Sequence, residues 1–275
     1  MPFRNPWLVL QRFYRRRAAS LSFRRPFLIN SPHPLISFTF DDFPRSALLA
    51  GGSILNRFGL AGTYYASLGL LGKETPSGQV FVERDLTTLL ERGHELGCHT
   101  FSHCDSWGTG TAAFENSIIE NRAALSRLLP GTEFKSFSYP ISMPRPLTKA
   151  MVANYFQCCR AGGQVFNVGK ADLNQLSAYF LEKSRHNTQA VKDLIDRNRH
   201  VRGWLIFATH DISDNPTPFG CTPDFFEQVV QHALSSGARI LPVAKVLEVL
   251  GAPCCQQNST HLTPPNSRRQ DRKSG

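Results

Sequence analysis

Leu35-Ile36-Ser37-Phe38-Thr39-Phe40-Asp41-Asp42 is an apolar, alternating run that stops at two carboxylates. A run of this length and β-branched, aromatic content reads as a buried strand. The acids then fall at its C-terminal end. A second run of the same kind, Trp204-Leu205-Ile206-Phe207-Ala208-Thr209, stops at His210-Asp211. Between them lies His99-Thr100-Phe101-Ser102-His103, directly after the short strand-like segment Glu95–Cys98. Chemistry-bearing side chains at the ends of strands are the pattern to be explained.

Outward from these runs, strand-like and helix-like segments alternate. Helices are expected over Arg45–Phe58, Asp85–Arg92, Phe114–Leu129, Pro146–Asn154, Thr188–Asn198, Pro223–Ser235 and Val243–Leu250. Strands are expected over Gly62–Ser67, Lys135–Tyr139, Phe156–Arg160, Leu176–Leu181 and Arg239–Leu241, besides the three already named. Such alternation predicts an α/β fold with a mainly parallel sheet. Seven or eight units in roughly 220 residues suit a closed (β/α) barrel of about seven strands, whose chemistry gathers at the C-terminal strand ends. Asp41, Asp42, His99, His210 and Asp211 all fall there. No internal repeat and no glycine-rich phosphate loop is present.

The chain of 275 residues carries a net charge of +10, but the charge is not in the middle. Residues 1–40 hold seven Arg and no Asp, Glu or Lys, and residues 252–275 add +3. Residues 41–251 balance at 20 basic and 20 acidic side chains, which argues against nucleic acid as a partner. The expected organisation is a basic arm over 1–30, one barrel domain over 31–251 and a basic, disordered tail over 252–275. The arm's apolar run, Trp7-Leu8-Val9-Leu10, is too short for a membrane span or a signal-peptide core. It reads as an Arg-rich amphipathic segment for an anionic membrane surface, as a solvated arm packing Trp7 on the domain, or as an organellar transit peptide. Seven Cys without a Cys-x-x-Cys pattern read as reduced thiols in a cytoplasmic compartment, with Cys98 a small buried residue. Localisation is therefore expected to be cytoplasmic, including the inner membrane surface.

Each candidate has a plain structural alternative. Asp41-Asp42 before Pro44 fits a turn or a helix start, yet adjacent ionised carboxylates call for a nearby cation. His99 and His103, spaced i,i+4, would point the same way on a helical turn and could grip a divalent metal, whereas isolated surface histidines are common. Two His and one carboxylate, Asp42 or Asp41, leave a coordination position open for water. A lone His210 is ordinarily a hydrogen-bonded core residue, but at a barrel mouth it could donate a proton. His94, His186, His200, His232 and His261 carry no such pattern.

Thr39-Phe40-Asp41-Asp42, then Gly93-His94-Glu95-Leu96-Gly97-Cys98-His99-Thr100-Phe101-Ser102-His103, then Leu205-Ile206-Phe207-Ala208-Thr209-His210 resemble, in this order, the polysaccharide deacetylase family (carbohydrate esterase family four, the nodulation-protein-like deacetylases). The likeness spans about residues 35–245 and implies a distorted (β/α) barrel. It also implies a metal-dependent hydrolase that removes N- or O-acetyl groups from acetylated carbohydrates. On that likeness Asp41 is the general base, Asp42, His99 and His103 hold a divalent metal, zinc being the expected ion, and His210 is the general acid. Phe137-Ser138-Tyr139-Pro140-Ile141 resembles a third, groove-lining motif, so Tyr139 and the Ile141 amide are substrate or oxyanion candidates.

Three departures stand out. Phe43 replaces a frequent Gly, which should narrow the groove mouth. Ser138 stands where an Arg often pairs with the base, and Arg160 is the expected substitute. The acid's usual Asp partner has no clear counterpart, with Asp172 the candidate. Two further readings stay open: a deacetylase or deformylase of a lipid-linked amino sugar, reached through peripheral membrane contact of the arm, and an inactive carbohydrate-binding barrel.

Overall fold

The computed structural model describes residues 6–141 and 143–252. The expected tail past residue 252, with His261, lies outside them. In chain order the strands are β1 (Pro26–Ile29), β2 (Leu35–Phe40), β3 (Thr63–Ala66), β4 (Glu74–Thr75), β5 (Gly78–Gln79), β6 (Glu95–Cys98), β7 (Ser136–Ser138), β8 (Cys158–Gly162), β9 (Gly169–Asp172), β10 (Leu176–Phe180), β11 (Trp204–Thr209) and β12 (Arg239–Ile240). The helices are α1 (Pro6–Leu21), α2 (Ser53–Arg57), α3 (Glu83–Glu91), α4 (Thr111–Leu128), α5 (Pro146–Val152), α6 (Thr188–Val201), α7 (Pro223–Ser235) and α8 (Val243–Val249).

Seven strands, β2, β3, β6, β7, β8, β10 and β11, pair in parallel, and β11 returns to β2 to close a barrel. β12 adds beside β2 at the other end. The alternation of β2 divides its side chains between two apolar layers, as a two-residue period requires. Ile36, Phe38 and Phe40 belong to the large core shared with Phe226, Val229 and Val230 of α7. Leu35 belongs to a smaller cluster with Trp204, Ile206, Ala208, Leu176 and Ala178, sealed by Val243, Val246 and Leu247 of α8. Asp41, in phase with Leu35, Ser37 and Thr39, continues that second row beyond the strand end. Each fully buried Phe ring in the outer layer contributes about 1.5–3 kcal/mol.

The expected barrel is therefore present, with its N-terminal end plugged: Glu95 of β6 takes hydrogen bonds from Ser136 Oγ, Thr63 Oγ1 (2.8 Å) and the Ala244 N–H (2.8 Å). Differences lie in the connections. The helix expected from Arg45 begins as a wide π-turn over Ala47–Gly52 before α2. Within the stretch expected as a basic arm, residues from Pro6 form α1 and then β1, which pairs antiparallel with β9. Lys149 Nζ, fully buried, donates to Ala19 O (2.7 Å) and to Asp172 (2.6 Å), pinning that segment to α5. The Trp7 side chain keeps 76% of its surface exposed.

Candidate metal and proton-transfer site

The register of the barrel brings the strand-end residues together. β2 and β11 run level up to the pair Phe40 and Thr209, and the Asp41 N–H donates to Thr209 O (2.9 Å). Asp41 and His210 are thus the next residues on adjacent strands. The His99 N–H donates to Ala66 O (3.1 Å), holding the β6 end against β3.

Asp42, His99 and His103 converge so that one ligand atom from each lies within 4.8 Å of the others. Asp42 Oδ1 stands 3.0 Å from His103 Nε2 and 3.4 Å from His99 Nε2. The two histidines are not on a helical turn as their spacing suggested. They sit in a loop in which Thr100 and His103 both take left-handed backbone (φ 60° and 53°), and that loop folds the rings to 5.1 Å between centroids. His99 Nδ1 faces the Ser138 carbonyl at 2.8 Å. A carbonyl only accepts, so Nδ1 carries the hydrogen and Nε2 turns its lone pair toward Asp42. Asp42 Oδ1 is itself buried with no hydrogen-bond partner. A buried acceptor facing other acceptors is costly unless a cation lies between them. The donor set, two imidazoles and one carboxylate, is what zinc and similar divalent ions take in open catalytic sites. Burial pushes the Asp42 carboxyl up, but His103 and His99 outweigh it and hold it far below the usual range. His103 is raised in turn: Asp42 outweighs the burial of the imidazole.

Asp41 has a different neighbour. Arg160 donates to Asp41 Oδ1 and to Ser138 Oγ (2.8 Å), and Ser138 Oγ donates to the same Asp41 oxygen (3.3 Å). Ser138 and Arg160 are register partners on β7 and β8, so their side chains project to the same side. The guanidinium, 1% exposed, lies 5.0 Å over Tyr65, whose ring fits because residue 97, its register partner, is glycine; a Cβ there would meet the ring at 2.5 Å. Burial raises the Asp41 carboxyl, and Arg160, His99 and His210 more than reverse this, leaving it below its ordinary value.

His210 Nδ1 meets the Phe219 carbonyl (3.2 Å), which leaves Nε2 facing the site, 3.9 Å from Asp42 Oδ2. Its ring lies between Phe180 and Phe219, at 6.4 and 5.5 Å between centroids. Asp172 is not its partner: that carboxylate sits on β9 and accepts from Lys149, the Arg25 N–H (2.9 Å) and the Asn174 N–H (3.0 Å). Phe43 does not narrow the mouth either. It is fully buried, stacked on Phe81 at 4.7 Å between ring centroids. Tyr139 turns its ring into the core, its hydroxyl donating to Asn174 O (3.3 Å), so only its backbone is left for the groove. Ile141 is at the surface, 71% exposed, with left-handed backbone (φ 63°). Cys98 is the small buried residue expected, accepting from Asn121 Nδ2 at 3.2 Å.

Two residues of the mouth had not been singled out. Ser77, from the β4–β5 hairpin, donates to Asp42 Oδ2 at 2.7 Å. Glu182 follows β10, one strand from His210, and its Oε2 is buried without a hydrogen-bond partner. The strand-end rule that found Asp41 would have found Glu182 as well; nothing local in the sequence ties Ser77 to Asp42.

Two His and one Asp thus converge at the mouth of a closed parallel barrel, the end where such folds gather their chemistry. Residues 29–155 match the family model for polysaccharide deacetylase. That stretch contains Asp41, Asp42, His99, His103 and Ser138, while Arg160 and His210 lie beyond it. No curated protein sequence matches the chain. Among solved structures it is similar to the Xyl-CE4 domain of a multidomain xylanase from the hindgut metagenome of Trinervitermes trinervoides (18% identity, 81% of this chain and 93% of that one, TM-score 0.56). It is also similar to a family 4 acetyl xylan esterase from Clostridium thermocellum in complex with a cobalt ion (18%, 80% and 93%, 0.53). A CE4 family pseudoenzyme from Bacillus anthracis superposes equally well (10%, 79% and 66%, 0.55). Fold alone therefore does not separate active from inactive members.

Proposed function

We propose that this chain is a metal-dependent hydrolase that removes acetyl groups from N- or O-acetylated sugars. The observation that carries the reading is Asp42 Oδ1, buried without a hydrogen-bond partner and facing Nε2 of two histidines. Asp42, His99 and His103 would hold the ion, with zinc the expected occupant. Such an ion, when bound, supplies Lewis acidity toward the acetyl carbonyl and makes water more acidic.

The remaining steps belong to the chain's own residues. Asp41, kept ionised by Arg160, accepts a proton from water as the new C–O bond forms at the acetyl carbon. Ser138 and Arg160 fix the carboxylate so that its other oxygen is presented to that water. The Ile141 N–H is assigned to the developing oxyanion. His210, oriented by the Phe219 carbonyl, delivers a proton from Nε2 to the leaving amine or alcohol as the acyl bond breaks. Acetate and the deacetylated sugar result.

Acetate release from acetylated xylan and chitin oligosaccharides, measured with chelator and after readdition of zinc, tests this. Zinc-restored release is the expected result. No release on any acetylated glycan, with sugar binding retained, would leave the carbohydrate-binding barrel instead.

A second substrate class, lipid-linked acetylated or formylated amino sugars, is favoured by α1. Phe13 is 62% exposed, Leu10 and Leu21 are exposed as well, and Arg12, Arg16 and Arg17 lie on the same helix. Tyr14 and Arg15 of that helix pack on Trp107, four residues past His103 in the chain. No helix among the described residues is long and apolar enough to cross a membrane, so the contact would be peripheral. Co-sedimentation with anionic vesicles that survives deletion of residues 1–22 would dismiss this class.

A further inference from the structure

We propose that the β4–β5 hairpin is a clasp that sets how Asp42 meets its metal, with Ser77 as the contact and Phe43 as the anchor. The inference deepens the metal-dependent reading and rests on it. Ser77 is 3% exposed and its hydroxyl donates to Asp42 Oδ2 at 2.7 Å. That bond occupies the oxygen on the far side from the histidine pair and leaves Oδ1 alone to face them. A carboxylate held by one oxygen cannot turn to share both with an ion, so the clasp selects one-oxygen ligation and fixes the distance to both imidazoles.

The hairpin is built to hold that hydroxyl still. At its tip Thr75 Oγ1 donates to Gly78 O (3.0 Å) and accepts from the Ser77 N–H (3.2 Å), while Gly78 takes the φ of +97° that closes the turn. Its base is tied to the segment after Asp42. The Phe81 N–H donates to Phe43 O (3.1 Å), Pro44 bridges to Val80, and the Phe43 ring stacks on Phe81 and leans on Tyr64 at 5.0 Å.

This also accounts for the phenylalanine at position 43. Asp42 and Phe43 are both left-handed (φ 59° and 46°), a backbone that favours glycine and is strained for a bulky side chain. The strain persists because the ring is what anchors the hairpin. Ser77 is a positioning residue: it acts on the ion through Asp42.

The test is zinc titration of the metal-free chain by calorimetry, with the cobalt-substituted visible spectrum as a reporter of ligand geometry. Ser77→Ala is expected to bind zinc about 10–100-fold more weakly, as loss of an outer hydrogen bond to a ligand does, and to shift the cobalt bands. The metal-free melting temperature should stay near that of the parent. Ser77→Thr, which keeps the hydroxyl, should recover most of the affinity. Phe43→Gly suits the backbone but removes the anchor, and should weaken zinc in the same direction. If Ser77→Ala does not fold, Ser77→Cys, with its weaker donor, replaces it with the same expectation. Parent-like affinity and cobalt bands in the alanine or cysteine variant would overturn the clasp while leaving the metal site standing. A parent chain that takes up no zinc would overturn both.

Discussion

Asp41 and Asp42 are consecutive residues, both buried, yet they solve the problem of a buried negative charge in opposite ways. Asp41 has a cation built into the fold: Arg160, with Ser138, saturates one of its oxygens. Asp42 is met by a hydroxyl and by Nε2 of two imidazoles, of which His99, with its Nδ1 hydrogen on the Ser138 carbonyl, turns a lone pair toward it. One carboxylate is finished by the chain; the other is complete only with a charge from outside. Under the proposed function, this contrast divides the residue assigned to exchange protons from the one assigned to hold an ion.

The sharpest way to break this contrast is to remove a donor from the Asp42 side. His103→Ala should lower zinc affinity by more than about 100-fold, beyond what loss of an outer contact costs, and abolish acetate release. Metal content after dialysis, by mass spectrometry, is the measurement. Stoichiometric zinc in the variant would show that the cluster is not the ligand set. On the other side, Asp41→Asn should keep its zinc and lose roughly 10²–10⁴-fold in kcat, the usual contribution of a positioned base. If metal and turnover fell together, the two carboxylates would not be divided as described.

Arg160→Met probes the same division through pH. Arg160 holds the Asp41 carboxyl down against its burial, so its loss lets that carboxyl rise. The acid limb of the kcat/KM profile should move to higher pH. Stability should fall by about 3–5 kcal/mol near neutrality, because a buried carboxylate is left unpaired. The sign follows from linkage: a depressed carboxyl stabilises above its unfolded value, and that contribution is lost as pH falls through the folded one. An unmoved acid limb would mean that Arg160 braces the barrel without setting the base.

How much of this could be read beforehand divides along physical lines. β2 and β11 follow from largely apolar runs, because a strand buried on both faces admits only polar side chains that find a partner, as the Ser37 and Thr39 hydroxyls do on carbonyls. The strand-end positions of Asp41 and His210 follow from those runs together with the parallel order. The two histidines come together, but not on the helical turn that an i,i+4 spacing suggests: left-handed Thr100 and His103 produce the convergence. Side-chain direction was not legible. Phe43 turns under a hairpin and Tyr139 into the core, since both choices depend on what the rest of the chain covers. The α1 and β1 segment read as a charged arm because its attachment uses Lys149, Asp172 and strand pairing, none of which leaves a periodic trace.

The smallest effect belongs to a third carboxyl of the mouth, which neither Arg160 nor an ion serves. Glu182 Oε2 is buried without a partner, and burial, helped by the charge of Asp41, pushes this carboxyl up to about 7. A carboxyl whose folded value lies above its unfolded one favours the fold while protonated and loses that advantage as pH rises through the folded value. Glu182→Gln, which is neutral at every pH and nearly the same shape, should therefore be more stable than the parent at pH 8 by roughly 1–3 kcal/mol. The difference should shrink to nothing near pH 4.5, where the parent carboxyl is protonated in the fold and only half-ionised when unfolded. Chemical denaturation at both pH values measures it. A glutamine variant less stable at pH 8 would mean that the ionised carboxylate is held by a cation in solution, and that the mouth has a second charge-neutralising site beside the one at Asp42.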